Sequence, residues 1–139
     1  VGAFQSYIRK ITETGNRLFV LEFDESALSA EHKKFFVPAR DYPSVFPNSD
    51  IVIITGLTLV NDTIDELLNA IPPGVFTIVT GPSVSLVPDI LFRHGVDAIG
   101  ATKITDGDLL FTLAAEGGAG YHLFKYCARK ICIVNDRKW

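Results

Sequence analysis

The sequence predicts an α/β fold built on a mostly parallel sheet, and three observations carry that expectation. The first is a repeated grammar. Residues 51–68 (IVIITGLTLVNDTIDELL) and 76–92 (FTIVTGPSVSLVPDILF) each run from an apolar β-branched stretch through Thr-Gly into the capped start of an amphipathic helix. The second is that strand-like and helix-like stretches alternate along the chain, which argues interleaved layers rather than separate α and β parts. The third is that residues 51–54 are apolar without alternation, as a strand covered on both faces must be. Together they specify a three-layer, Rossmann-like sandwich whose mostly parallel sheet has about five to six strands.

The elements follow in order. Residues 1–4 read as the end of a strand, and residues 5–14 as a helix with Tyr7, Ile8 and Ile11 on one face, closed by Gly15. Residues 18–23 are the second strand. Ser29 then caps a short helix reaching Lys34. Pro38, Pro43 and Pro47 break up residues 37–49, which read as mostly loop with one turn around 42–46. Residues 50–54 form a central strand. Thr63-Ile64-Asp65-Glu66 matches a capping box, its hydroxyl and carboxylate serving N–H groups that the first helical turn leaves free. That helix runs to about Ala70, where Pro72-Pro73-Gly74 stops it. Residues 75–80 give the next strand and 85–94 the next helix, with Pro88 tolerated in its first turn and Gly95 past its end. A shorter strand covers 96–101, and a helix from Thr105 and Asp108 to Ala115 ends at Gly117-Gly118. The tail, 121–134, reads as a helical turn and an edge strand. Right-handed crossovers gather residues 2–4, 22–24, 55–61, 81–85 and 103–105 on one edge of the sheet. Ligands of open parallel sheets bind at that edge.

At 139 residues the chain has the length of one domain, 1–139, with 47% apolar and 21% charged residues. Its net charge of −3, with scattered Lys and Arg, lacks the basic footprint of a nucleic-acid binder. The longest apolar stretch, residues 51–60, is far short of the ~20 that span a bilayer, so no membrane partner is expected. No charged start precedes an apolar core of a leader, and the expected location is cytoplasmic. Cys127 and Cys132, five apart, fall on opposite faces of a strand or well separated around a helix, and read as two small buried cysteines rather than a chelate or local disulfide.

Several constellations bear on chemistry. Gly2 closes the first strand and Glu22 ends the second, a spacing that suits a ribose contact. The turn G-A-F-Q-S-Y nevertheless lacks the later glycines that admit a pyrophosphate, so NAD is not expected. At residues 55–63 an anion could meet free N–H groups, but Asp62 would occupy the helix's positive end and repel a phosphate; simple capping by Asn61, Asp62 and Thr63 stays open. Gly81-Pro82-Ser83 has no competing charge, two hydroxyls in Ser83 and Ser85, and a turn stiffened by Pro82. It is the stronger candidate for holding a polar ligand group, with plain turn chemistry as the alternative. His32, His94, His122, Cys127, Cys132 and the acids around Glu22 show no metal-ligand spacing, and no metal site made by protein alone is expected. His94 sits at a helix C-terminus and His122 reads as a surface residue. No nucleophile–base pair declares itself, so catalysis and its residues stay unassigned.

Four segments then carry a family resemblance: VGAF at 1–4, DIVIITGLTLVNDTIDELL at 50–68, TGPSVSLVPDILFRHGVDAIGA at 80–101 and AEGGA at 115–119. In these the chain resembles the Rossmann-like C-terminal domain of a prokaryotic family described as "putative heavy-metal chelation", whose function is unassigned. The resemblance implies the C-terminal part of a two-domain protein, preceded by a smaller domain similar to the enolase N-terminal fold. It implies a ligand in the cleft between the domains, drawn from metal ions, metal chelates or tetrapyrrole-like cofactors. The implied lining is Gly2, Phe4, Thr55, Gly56, Thr58, Asn61, Gly81, Pro82 and Ser83, with Gly117 and Gly118 nearby. Leu57 and Asp62 stand where the family has Thr and Gly. Three readings remain open. The chain is a small-molecule binding domain; or an enzyme domain whose nucleotide meets Glu22; or a scaffold that docks another domain or a second copy through Phe4, Leu57 and Leu59.

Overall fold

In the computed structural model, which describes residues 1–85 and 88–136, the apolar runs pair as strands and the amphipathic stretches pack on them. Strands β1 (Val20–Glu22) and β2 (Phe36–Pro38) form a two-stranded parallel sheet. Strands β3 (Ile51–Thr55), β4 (Phe76–Thr80), β5 (Ala98–Ile104) and β6 (Ala128–Val134) form a second sheet in that order. In it β3, β4 and β5 are parallel and β6 runs antiparallel to β5. Residues 1–2 join the two sheets. Gly2 N–H donates to Leu21 O (2.9 Å), Thr55 N–H donates to Val1 O (3.1 Å), and the Val1 nitrogen donates to Ile53 O (2.6 Å). The expected sheet is therefore a mixed four-stranded sheet plus a two-stranded one, with helices on both sides.

The helices are α1 (Gln5–Thr12), α2 (Tyr42–Val45), α3 (Leu57–Val60), α4 (Ile64–Ala70), α5 (Asp89–Arg93), α6 (Gly107–Ala115) and α7 (Gly120–Tyr126). The main core gathers Val52, Ile54, Val79 and Ile99 from the sheet with Phe46, Ile64, Leu67 and Leu91 from the helical layer. A smaller cluster of Ile8, Val20 and Leu28 seats α1. In the β3–β4 register Thr55 lies opposite Thr80, so the two Thr-Gly corners emerge side by side.

Several expectations are corrected. Strand β2 lies in the stretch read as loop: it has three residues and ends on Pro38, whose missing N–H is tolerated at a sheet edge. Residues 39–48 are not loop but three consecutive helical turns, with Pro43 and Pro47 at early positions where no intrahelical N–H is needed. The Thr63–Glu66 capping box does not form. Thr63 is already near-helical (φ −104°, ψ −5°), its hydroxyl donates to Asn61 Oδ1 (2.7 Å), and Glu66 accepts from the Tyr42 hydroxyl instead. Ser29 likewise bonds the His32 ring (2.9 Å) rather than a backbone N–H.

The helix expected over 85–94 resolves into a 3-10 turn, Pro82–Val84, and α5, while residues 86 and 87 lie outside the described residues. Helix α6 is capped by Asp106, which accepts from Leu109 N–H (3.0 Å), not by Thr105. Strand β5 runs on to Ile104 because β6 pairs with it along its full length. Cys127 is buried, but Cys132 is exposed on the outer face of the edge strand β6.

Candidate functional site

Residues 1–2, β1 and β3 run parallel, and the turns that leave their carboxyl ends surround a cavity of about 630 Å³. The first turn sets its floor. Gly2 has φ +91°, which favours glycine, and a Cβ there would crowd Thr55 Cγ2 at 3.0 Å. Glu22 closes the turn from the side: Oε2 accepts from Ala3 N–H (3.0 Å) and Oε1 from Phe23 N–H (2.8 Å). Its carboxylate thus occupies the approach to the start of α1, where a phosphate would otherwise meet backbone N–H groups. A negative charge already seated there opposes a second one.

The β3 corner forms the facing wall. Thr58 is buried and its hydroxyl donates to Thr55 O (2.7 Å), while Thr55 Oγ1 accepts from Leu57 N–H (3.3 Å). These two threonines fasten the turn. Asn61 ends α3, its N–H donating to Leu57 O and its Oδ1 accepting from Thr63. Asp62 follows in the left-handed region at φ 61°.

The outer wall was not foreseen. Pro38, Arg40 and Tyr42 line it from β2 and the turns beyond, and Glu66 from α4. The Tyr42 hydroxyl donates to Glu66 Oε1, and that bond to a carboxylate raises the phenol's pKa above its ordinary value. Phe23 (78% exposed) and Leu57 (57% exposed) stand among the residues around the cavity with their side chains largely in water. No short-range pattern could reveal this wall, because it depends on β2 being a strand.

Of the residues singled out by sequence, Gly2, Phe4, Glu22, Thr55, Thr58 and Asn61 line the cavity. Gly56 and Gly81 lie behind it, in contact with one another. Gly56 N–H donates to Thr80 O (2.8 Å), and a Cβ on Gly81, which has φ +134°, would lie 3.6 Å from Gly56 N. Pro82 and Ser83 are exposed in the adjoining 3-10 turn and do not line the cavity. Ser85 is spent on the fold, donating to Thr102 O and accepting from Thr102 N–H (both 3.1 Å). Gly117 and Gly118 lie between α6 and α7, where Gly118 N–H donates to Leu113 O (2.7 Å), and they do not line the cavity either.

The histidines have local partners. His32 Nδ1 lies near Ser29 Oγ and Gln5 Oε1 (3.3 Å), His122 Nδ1 accepts from Ala119 N–H (3.0 Å), and His94 ends α5. Among the described residues no group of three or more His, Cys, Asp or Glu side chains comes together to hold a metal ion. A second cavity, about 550 Å³, runs beside α1 between Tyr7, Ile11, Phe19 and Ile51.

Residues 1–133 match the model of the family described as "putative heavy-metal chelation". The chain belongs to that family. It is 34% identical over 88 residues to an uncharacterized protein of Methanocaldococcus jannaschii, covering 62% of this chain and 33% of that protein. Its fold is similar to that of a family member of unknown function from Pyrococcus horikoshii, with a TM-score of 0.80 at 19% identity over 96% of this chain and 53% of the other. A second such protein, from Desulfitobacterium hafniense, gives a TM-score of 0.68 at 22% identity over 85% and 44%. The chain thus spans about a third of the first relative and about half of the two solved chains.

The left-handed Asp62 marks a place where glycine fits better. Left-handed backbone costs an L-residue about 1–2 kcal/mol, less for Asp than for most, and glycine escapes it. Asp62→Gly should therefore stabilise the chain by up to about 1 kcal/mol in denaturant unfolding, its greater unfolded-state entropy offsetting part of the gain.

Proposed function

We propose that this family member binds a flat, largely apolar small molecule with a few polar groups, a preformed metal chelate or tetrapyrrole-like compound rather than a bare ion, at the carboxyl ends of β1 and β3. The cavity supports this reading by its size, which falls in the ~300–1,000 Å³ range of small-molecule sites, and by its walls. Phe4, Phe23, Pro38 and Leu57 offer apolar contact, and Asn61, Arg40 and the Tyr42–Glu66 pair offer scattered polar groups. The observation that carries the choice between chelate and ion is the donor set. A bare ion needs several converging ligands, and no cluster of three among the described residues supplies them. A chelate brings its own.

We read the sheet as a Rossmann-like arrangement in which residues 1–2 act as the central strand, which puts the cavity at the switch point where such folds bind ligands. The nucleotide-enzyme reading draws less support, because the Glu22 carboxylate is already engaged by two backbone N–H groups. In a protein of the relatives' length, a further domain similar to the enolase N-terminal fold would close the cavity's open side. No helix among the described residues is long and apolar enough to cross a membrane, and we place the domain in the cytoplasm.

Absorbance titration with zinc protoporphyrin and calorimetry with free Zn²⁺ and Ni²⁺ test the reading. The porphyrin should bind with a shifted absorption band and the free ions should give no heat. Leu57→Asp should weaken porphyrin binding by about tenfold or more, since a carboxylate would replace exposed apolar contact. Heat from the free ions with no response to the porphyrin would overturn the reading.

A further inference from the structure

Strands β5 and β6 are connected by an arm. Ile104 pairs with Ala128 at its base, where Thr105 N–H donates to Cys127 O (2.8 Å), and the chain between them folds as the helical hairpin α6–α7 with Gly117-Gly118 at the turn. Neither helix contains a buried residue. Helix α6 makes its main contacts with α7, and α7 with α6 and β6. Phe111 (74% exposed), Tyr121 (70%) and Tyr126 (53%) face water, with Phe124 and Ile104 also exposed. Helices of nine and seven residues are marginal alone in water, and most of a helix's stability comes from an apolar face packed against something.

The charges on the arm indicate what covers it. Residues 105–116 carry Asp106, Asp108 and Glu116 and no Lys or Arg; residues 117–130 carry Lys125, Arg129 and Lys130 and no Asp or Glu. The two halves therefore hold −3 and +3. Among the described residues none of these six side chains makes an ion pair. A two-fold contact places the same patch of each copy on the other, so that residue i meets j and j meets i. An acidic helix beside a basic one is self-complementary under that operation.

We propose that the arm is a homodimer contact, in which α6 of one copy lies on α7 of a second copy and the reciprocal contact repeats it. Phe111 and Tyr121 are then removed from water, and each acidic half meets a basic half. The inference stands apart from the ligand site, whose lining includes no residue of the arm.

Sedimentation velocity on the 139-residue chain, from low micromolar to near-millimolar concentration, tests it. The chain should form a concentration-dependent dimer that weakens with added salt. One variant reverses α6 (Asp108→Lys with Glu116→Lys), and another reverses the basic half (Lys125→Glu with Lys130→Glu). Each alone should self-associate on the order of tenfold or more weakly, because like charges now meet, and an equimolar mixture of the two should recover a heterodimer. Phe111→Asp should be monomeric with an unchanged far-ultraviolet circular dichroism spectrum. The proposal fails if the unaltered chain stays monomeric throughout, if the reversed variants dimerise as well as it does, or if mixing them restores nothing.

Discussion

The hydrogen bonds made by residues 1 and 2 are the constraint on which the rest of the molecule depends. Gly2 N–H reaches Leu21 O on one side, and Val1 O takes Thr55 N–H on the other. Through these bonds the β1–β2 pair is held beside the four-stranded sheet, and the cavity opens over the seam. The same bonds explain why position 2 must be glycine. The chain has to turn at once into α1 with a positive φ, and a Cβ there would press to 3.0 Å from Thr55 Cγ2. On the other side of β3, the Thr55–Thr80 register brings the second corner into contact with the first, with Gly56 bonded to Thr80 O.

Electrostatics narrows what this seam can hold. The N–H groups that make such corners attractive to phosphates meet a carboxylate of the protein's own, because Glu22 accepts from Ala3 and Phe23. Glu66 adds a second carboxylate to the lining, and Arg40, also in the lining, lies 3.9 Å from Asp41. A polyanion would therefore meet two carboxylates, Glu22 and Glu66. The proposed apolar body with scattered hydrogen-bonding groups avoids that repulsion and would meet the exposed Phe23 and Leu57. The donor set supports the same proposal: among the described residues no three metal-ligating side chains converge, and a chelate would bring its own coordination.

Much of this was legible in the sequence, and the failures have a common physical cause. The strands and Thr-Gly corners of the segments 51–68 and 76–92 read correctly, because long apolar runs and turn glycines are strong local signals, whereas the helix starts beyond them differ from the expectation. From them the shared rim follows. What could not be read depends on contacts distant in sequence. Strand β2 is three residues long and ends on proline, and nothing within it says that Val20–Glu22 lies alongside. Without β2, Arg40 and Tyr42 have no place in the site, and Glu66 reads as part of a cap when its partner is a phenol 24 residues away. The hydroxyls failed for a different reason. Thr58, Thr63 and Ser85 satisfy nearby backbone or side-chain groups, and short polar side chains choose such local partners wherever the turn geometry allows.

The arm shows how the same reasoning separates stability from function. The family resemblance sets the arm's glycines, Gly117 and Gly118, near the site because their segment accompanies the Thr-Gly corners in the family pattern. In the fold they turn a helical hairpin: Gly117 holds φ +73° and a Cβ on Gly118 would lie 2.7 Å from Leu113 O, so the requirement for each is local. The base of the arm is firmly tied, with Cys127 buried and its carbonyl accepting from Thr105, whereas the helices beyond it contribute no buried side chain. A segment anchored at its base, with its side chains at most half-buried, is drawn from the low-stability end of a structure, where local opening is least costly. A partner's surface would supply the burial that the core does not. The cavity and the arm therefore rest on separate parts of the fold, so a ligand proposed for the one and a partner proposed for the other would be separable by substitution.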